Sequence, residues 1–219
     1  MAKHLAIVIG VGPGLGLALV NKFHNEGFDV CMVARNKDKL ESYASQIIEG
    51  PGKVHSYSAD AGNNESMQTT LKKIVKEHGI PDVLIYNVSL LRPARPLNIE
   101  YDTFVEDFQI NVGGMLSAFQ SIFPSMKERG QGTILVTGGG LSLIPYFEFT
   151  SLGIGKAGLR NLAGSLAQEA KKSGVRVFTI TVNGMIEPKT KFDPLRIADK
   201  FHDVYENGLT PGEFEFIYQ

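Results

Sequence analysis

Short apolar runs alternate with longer amphipathic stretches from one end of the chain to the other, and the hydrophobic period switches with them. The runs His4 to Ile9, Phe28 to Ala34, Val54 to Ser58, Asp82 to Asn87, Gly132 to Thr137, Val175 to Val182 and Glu213 to Tyr218 are short and mostly Val/Ile-rich, and predict seven strands. Helical spacing of apolar residues predicts crossovers at Leu15 to Glu26, Lys37 to Ile48, Asn64 to His78, Tyr101 to Glu128, Ser151 to Ser173 and, more weakly, Leu195 to Glu206. Strands that alternate with helices in this way build a parallel sheet covered on both faces. Pro93 and Pro96 mark a loop after the fourth strand, Pro188 and Pro194 another after the sixth, and neither reads as a linker between domains. No fixed-period repeat or low-complexity tract interrupts the pattern. The expectation is one α/β domain over residues 1–219.

Composition narrows the class of partner. The 219 residues are 43% hydrophobic and 21% charged, enough for a single core that buries roughly 70% of the unfolded surface. With 22 Lys and Arg against 23 Asp and Glu, and no dense basic run, the chain offers little electrostatic grip on nucleic acid or anionic lipid. Small-molecule partners are expected. Cys31 is the only cysteine, which excludes an internal disulfide and a cysteine-cluster metal site and suits a reducing compartment such as the cytoplasm; no metal is expected. Lys3 and His4 precede an apolar run too short for a signal segment or a membrane span.

Candidate chemistry begins directly after the first strand, where Gly10-Val11-Gly12-Pro13-Gly14-Leu15-Gly16 leads into a helical pattern. Such a turn brings bare backbone to a pyrophosphate and aims the unpaired N–H groups of a helix start at it. The glycine spacing is G-x-x-x-G-x-G at Gly10, Gly14 and Gly16, and the common G-x-G-x-x-G is not met because Leu15 takes the last glycine place. No Gly-Lys-Ser/Thr follows, so this is not a nucleoside-triphosphate loop. Beyond the second strand stands Arg35, a cation where an adenosine ribose would lie, so NADP(H) is expected ahead of NAD(H); the alternative is a plain surface charge. Asp29, at the strand's other end, reads as a turn carboxylate.

With these motifs in order, the chain resembles the short-chain dehydrogenase/reductase family over nearly its full length. Gly10, Gly14 and Gly16 stand at the glycines of the family's Thr-Gly-x-x-x-Gly-x-Gly, with Ile9 for its threonine. Asp60, followed by Ala61, matches the acidic residue near the adenine, and Tyr86-Asn87-Val88-Ser89 looks like the family's Asn-Asn-Ala-Gly with Asn87 retained. Asn111 matches an active-site asparagine that holds a water linked to the catalytic lysine, and Lys156 matches that lysine, which also bonds the nicotinamide ribose. Asn183-Gly184-Met185-Ile186 resembles Pro-Gly-x-Ile/Val, so Gly184 and Ile186 are expected at the carboxamide. Pro188 replaces the following threonine, with Thr190 nearby. The resemblance implies a Rossmann-like doubly wound fold, oxidoreductase activity on a carbonyl or alcohol, and a homodimer or homotetramer built on the segments Tyr101 to Glu128 and Ser151 to Ser173.

The departures concern the acid/base groups. The strand-five serine of the family falls in Thr137-Gly138-Gly139-Gly140, and its Tyr-x-x-x-Lys reads Leu152-Gly153-Ile154-Gly155-Lys156. A tyrosine beside an ammonium gives and takes a proton near neutrality, and leucine does neither. Ser142, Tyr146, Thr150 and Ser151 are the hydroxyls near enough in sequence to substitute. Thr150 or Ser151 also suits a helix N-cap, and Tyr146 suits aromatic packing over a pocket. The candidate catalytic set is therefore Asn111, Lys156, Ser142 and Tyr146. Two outcomes follow: a reductase with altered or weak catalysis, or a non-catalytic NADP(H)-binding sensor or assembly protein. Only about thirty residues separate Gly184 from the last strand, so a shallow substrate site is expected.

Overall fold

Leu5–Ile9 forms the first strand, β1, with all five side chains buried, because it runs through the middle of a sheet with helices on both faces. The computed structural model describes residues 4–47 and 50–219. The other strands are β2 (Asp29–Ala34), β3 (Val54–Ser58), β4 (Val83–Tyr86), β5 (Gly132–Gly139), β6 (Val175–Val182) and β7 (Glu215–Tyr218). All pair in parallel, in the order β3-β2-β1-β4-β5-β6-β7. This is the seven-stranded parallel sheet covered on both faces that the alternation predicts, in the doubly wound, single Rossmann-like domain that the resemblance implies.

The helices are α1 (Leu15–Asn25), α2 (Lys37–Gln46), α3 (Asn64–His78), α4 (Tyr101–Phe108), α5 (Gly114–Arg129), α6 (Thr150–Ala170) and α7 (Pro194–Asn207). Successive strand side chains point to opposite faces, so each strand feeds two cores. Ile7 and Ile9 of β1 pack with α3, α5 and α6 through Leu71, Ile122 and Leu159, while Ala6 and Val8 pack with α1 and α7 through Leu19 and Phe201. Cys31 lies fully inside the first of these cores, where burial pushes its thiol up to about 12 and leaves it inert.

Three details differ from the sequence pattern. The amphipathic stretch from Tyr101 is not one helix: a π turn at Gln109–Gly113 separates α4 from α5. A π turn adds a single residue to a helix, too brief an interruption for the spacing of apolar residues to mark as a break. Helix α2 stops at Gln46, and Ile48, like Lys3, lies outside the described residues. Helix α6 starts at Thr150 with Phe149 at the N-cap position and no side-chain cap; the Thr150 hydroxyl donates instead to the Phe147 carbonyl at 2.9 Å, so neither Thr150 nor Ser151 caps it.

The chain winds outward from β1 to β3 and then returns to place β4 on the other side of β1. The connections after β1 and β4 therefore leave in opposite directions, and a crevice opens between them at the carboxyl edge of the sheet.

Candidate active site

That crevice is a cleft of about 540 Å³. Its floor is the glycine turn. Gly10 has φ +90°, and a Cβ there would come within 2.7 Å of the Asn87 carbonyl carbon, so only glycine fits between β1 and β4. At Gly16 a Cβ would meet the Gly10 carbonyl oxygen at 2.7 Å. Gly12 and Gly14 are different: a Cβ on either would meet nothing within 4 Å. Protein packing does not demand glycine at these two cleft positions, and the bare backbone leaves room for a ligand to approach. Gly14 is also the N-cap of α1, where no side chain satisfies the helix's first N–H groups.

Around this floor stand Arg35 at the end of β2, Asp60 and Ala61 after β3, Asn87 after β4, Lys156 on α6, and Gly184 and Ile186 after β6. The residues expected to hold a coenzyme, Gly10 through Gly16 included, thus line one cleft. Arg35 is exposed, and its carbonyl is held by the Ser58 hydroxyl at 2.9 Å. Next to it, Asn36 caps α2 by accepting from the Lys39 N–H. One Asp60 oxygen accepts from the Gly62 N–H at 2.9 Å and fixes its turn. Asp29 sits at the far edge of β2, where it accepts from the Lys53 N–H at 2.7 Å.

Asn87 is held from two sides. Its amide donates to the Gly10 carbonyl at 3.0 Å and its oxygen accepts from the Thr137 hydroxyl at 2.9 Å, which ties β1, β4 and β5 together beneath the cleft. The sequence gives no sign of this use of Thr137, because the strands that place it are fifty residues apart. Lys156 is 6% exposed, and its ammonium donates to the Thr137 carbonyl at 3.0 Å. Burial lowers its pKa to about 8.

The candidate catalytic residues do not all gather here. Asn111, fully buried in the π turn, lies behind the wall: its neighbour Ile110 lines the cleft, and its own oxygen accepts from the Leu90 N–H at 2.9 Å. Its amide nitrogen has no hydrogen-bond partner among the described residues. Gly155 lets α6 approach closely enough that a Cβ would stand 2.9 Å from the Asn111 Cβ, which sets Asn111 beside the turn carrying Lys156. Ser142 lies in the 3-10 turn Gly140–Ser142 and lines a separate cavity with Arg160 and Phe214. Tyr146 is 45% exposed, outside the cleft lining, and donates to Glu148 at 2.9 Å, a bond that raises its pKa. The Ser151 hydroxyl turns away to the buried Asp107 at 2.5 Å, and Arg92 reaches the other oxygen of that carboxylate at 3.2 Å. Leu152 is 6% exposed and lines the cleft with Lys156.

A family model described as short chain dehydrogenase matches residues 4–193. The chain belongs to the short chain dehydrogenase family. An uncharacterized oxidoreductase of Staphylococcus aureus (strain N315) is 27% identical over 213 residues, which cover 91% of this chain and 89% of that one. Among solved structures, a short-chain dehydrogenase from Rhodopseudomonas palustris superposes with a TM-score of 0.88 at 25% identity, covering 99% of this chain and 98% of that one. A metagenomic short-chain oxidoreductase in complex with NADP superposes at 0.87 with 22% identity, covering 98% and 95%. Among the described residues of this short chain dehydrogenase, no helix is long and apolar enough to cross a membrane, and no group of three or more His, Cys, Asp or Glu is placed to hold a metal.

Proposed function

We propose that the chain binds NADP(H) and acts as an oxidoreductase on a carbonyl/alcohol pair, with its acid/base step weakened because Leu152 and Gly139 stand where the family has tyrosine and serine. The observation that carries the reading is the continuity of one cleft from Arg35, past the open faces of Gly12 and Gly14, to Lys156. The α1 N-terminus suits the pyrophosphate and Arg35 a 2′-phosphate. A bound structural neighbour, the metagenomic oxidoreductase, carries NADP on the same fold.

When bound, the coenzyme supplies a hydride to the carbonyl carbon, and one proton completes the alcohol, so that carbonyl, NADPH and H⁺ give alcohol and NADP⁺. The protein's own contribution is placement and the proton. Lys156 spends one N–H on the Thr137 carbonyl and keeps two for the coenzyme ribose or the substrate oxygen. With a pKa of about 8 it can give up a proton near neutrality. Asn111 positions the adjoining backbone through Leu90, and Leu152 excludes water from the lysine. We place the protein in the cytoplasm, as a homodimer or homotetramer built on α4, α5 and α6.

Stereospecific transfer from labelled NADPH to a carbonyl panel is the test. The Leu152→Tyr variant should raise turnover on the order of 10²- to 10⁴-fold. Gly139→Ser should add to it, since a Cβ at Gly139 has its closest contact 3.4 Å away, at the Lys156 side chain. NADPH-dependent stabilisation without transfer in either variant would favour the second reading, a non-catalytic NADP(H)-binding sensor or assembly protein, which the same two positions support.

A further inference from the structure

Over β4, β5 and β6 four large apolar side chains line the cleft beside Asn87, Ser89, Thr137 and Lys156: Leu90, Leu141, Leu152 and Ile186, one from each connection or helix start on that half of the sheet. The apolar surface does not stop at the wall. Leu91 is 65% exposed, Ile144 68% and Met185 80%, each within three residues of a lining leucine or isoleucine, and Phe147 is 52% exposed. These side chains come from three connections that leave neighbouring strands at the same edge.

The polar groups of this rim are turned on one another. Tyr146 donates to one oxygen of Glu148 and Arg95 to the other, at 2.9 and 2.8 Å, and the Arg95 guanidinium lies 4.8 Å over the Phe147 ring. Arg92 is engaged by Glu106 and Asp107. The connections after β4 and β5 are joined into one wall, since the Ala94 N–H donates to the Glu148 carbonyl at 2.9 Å and the Thr150 N–H to the Ala94 carbonyl at 3.3 Å. With these charges paired, exposed apolar side chains from three connections stand at the mouth of the cleft, and apolar surface at a cleft mouth marks a binding site.

We infer that the substrate is a ketone or aldehyde with an extended apolar body, an alkyl chain or ring system lying across Leu91, Ile144, Phe147 and Met185 with its carbonyl at Lys156. This rests on the proposed function, since the coenzyme fills the glycine half of the cleft. A polyhydroxylated or charged substrate would have to desolvate its polar groups against these apolar side chains.

The experiment measures ligand-induced thermal stabilisation of the NADPH-saturated protein by unbranched methyl ketones from butanone to undecanone, with a polyhydroxy ketone alongside and turnover followed where it occurs. Affinity should rise about fourfold per added methylene, and the polyhydroxy ketone should give no shift. The Leu91→Asp/Ile144→Asp double variant should flatten the series and keep its stabilisation by NADPH. A flat series in the wild-type protein, with NADPH stabilisation intact, overturns the apolar substrate alone. Absence of NADPH stabilisation removes the coenzyme reading beneath it. A dimer by light scattering that the double variant dissociates, together with a flat series, assigns the rim to a second copy of the chain and equally overturns the inference.

Discussion

The Tyr86 hydroxyl donates to the Ile110 carbonyl at 2.7 Å, so the last residue of β4 supplies the partner for a π turn twenty-four residues further on. A π turn leaves a helix carbonyl without its usual acceptor role, and here the middle of the turn, Ile110, Asn111 and Val112, is buried. Burial raises the Tyr86 pKa well above the usual phenol range, which keeps the donor proton in place. The bond therefore holds the backbone from which Asn111 reaches the Leu90 N–H.

Removing that hydroxyl strands a buried carbonyl. Tyr86→Phe should cost about 1 to 3 kcal/mol in urea unfolding. An unchanged midpoint would show that the π turn holds itself.

The two kinds of glycine in the turn should separate in mutation. Gly10→Ala places a Cβ against β4 at φ +90° and should destabilise the fold by several kcal/mol. Gly12→Ala meets no neighbour within 4 Å and should stay within about 0.5 kcal/mol of wild type, yet weaken NADPH binding. Thermal scans with and without NADPH read both effects.

Arg35 is exposed and lines the cleft beyond the end of β2. Arg35→Ser should lower NADPH affinity roughly tenfold or more while leaving NADH affinity within a factor of about two, because only the 2′-phosphate loses a charge-assisted bond. Titration with both coenzymes decides it, and equal losses would place Arg35 away from the ribose.

Lys156 gives a pH signature. Its folded pKa of about 8 lies below the ordinary lysine value of 10.5, so the unfolded chain binds more protons between those values, and this group's contribution to stability rises with pH there. Below pH 8 the cost of burying the ammonium is present in full; it fades as pH climbs toward 10.5. Lys156→Met removes the cost. Its stability relative to wild type should be higher at pH 7 than at pH 10 by about 2 kcal/mol, measured by urea unfolding at both values. A pH-independent difference would mean that the lysine is solvated in the folded state.

The alternation of apolar runs and amphipathic stretches determined the seven strands and their helices, because burial on both faces of a parallel sheet writes itself into local composition. The glycine turn was equally legible, because its glycines follow one strand and open one helix within a single short segment, although the Asn87 contact that forbids a Cβ at Gly10 comes from the end of the neighbouring strand. So was Leu152, four residues before Lys156. The tertiary structure alone decided which hydroxyls near Lys156 face the cleft. Ser142 and Tyr146 are close in sequence but turn to another cavity and to Glu148, and Ser151 turns to Asp107, while Thr137 joins the site through Asn87. The π turn and the apolar rim also belong to it. Each depends on contacts between segments tens of residues apart, and spacing along a chain carries no information about which side of a helix start will meet a neighbouring strand's loop.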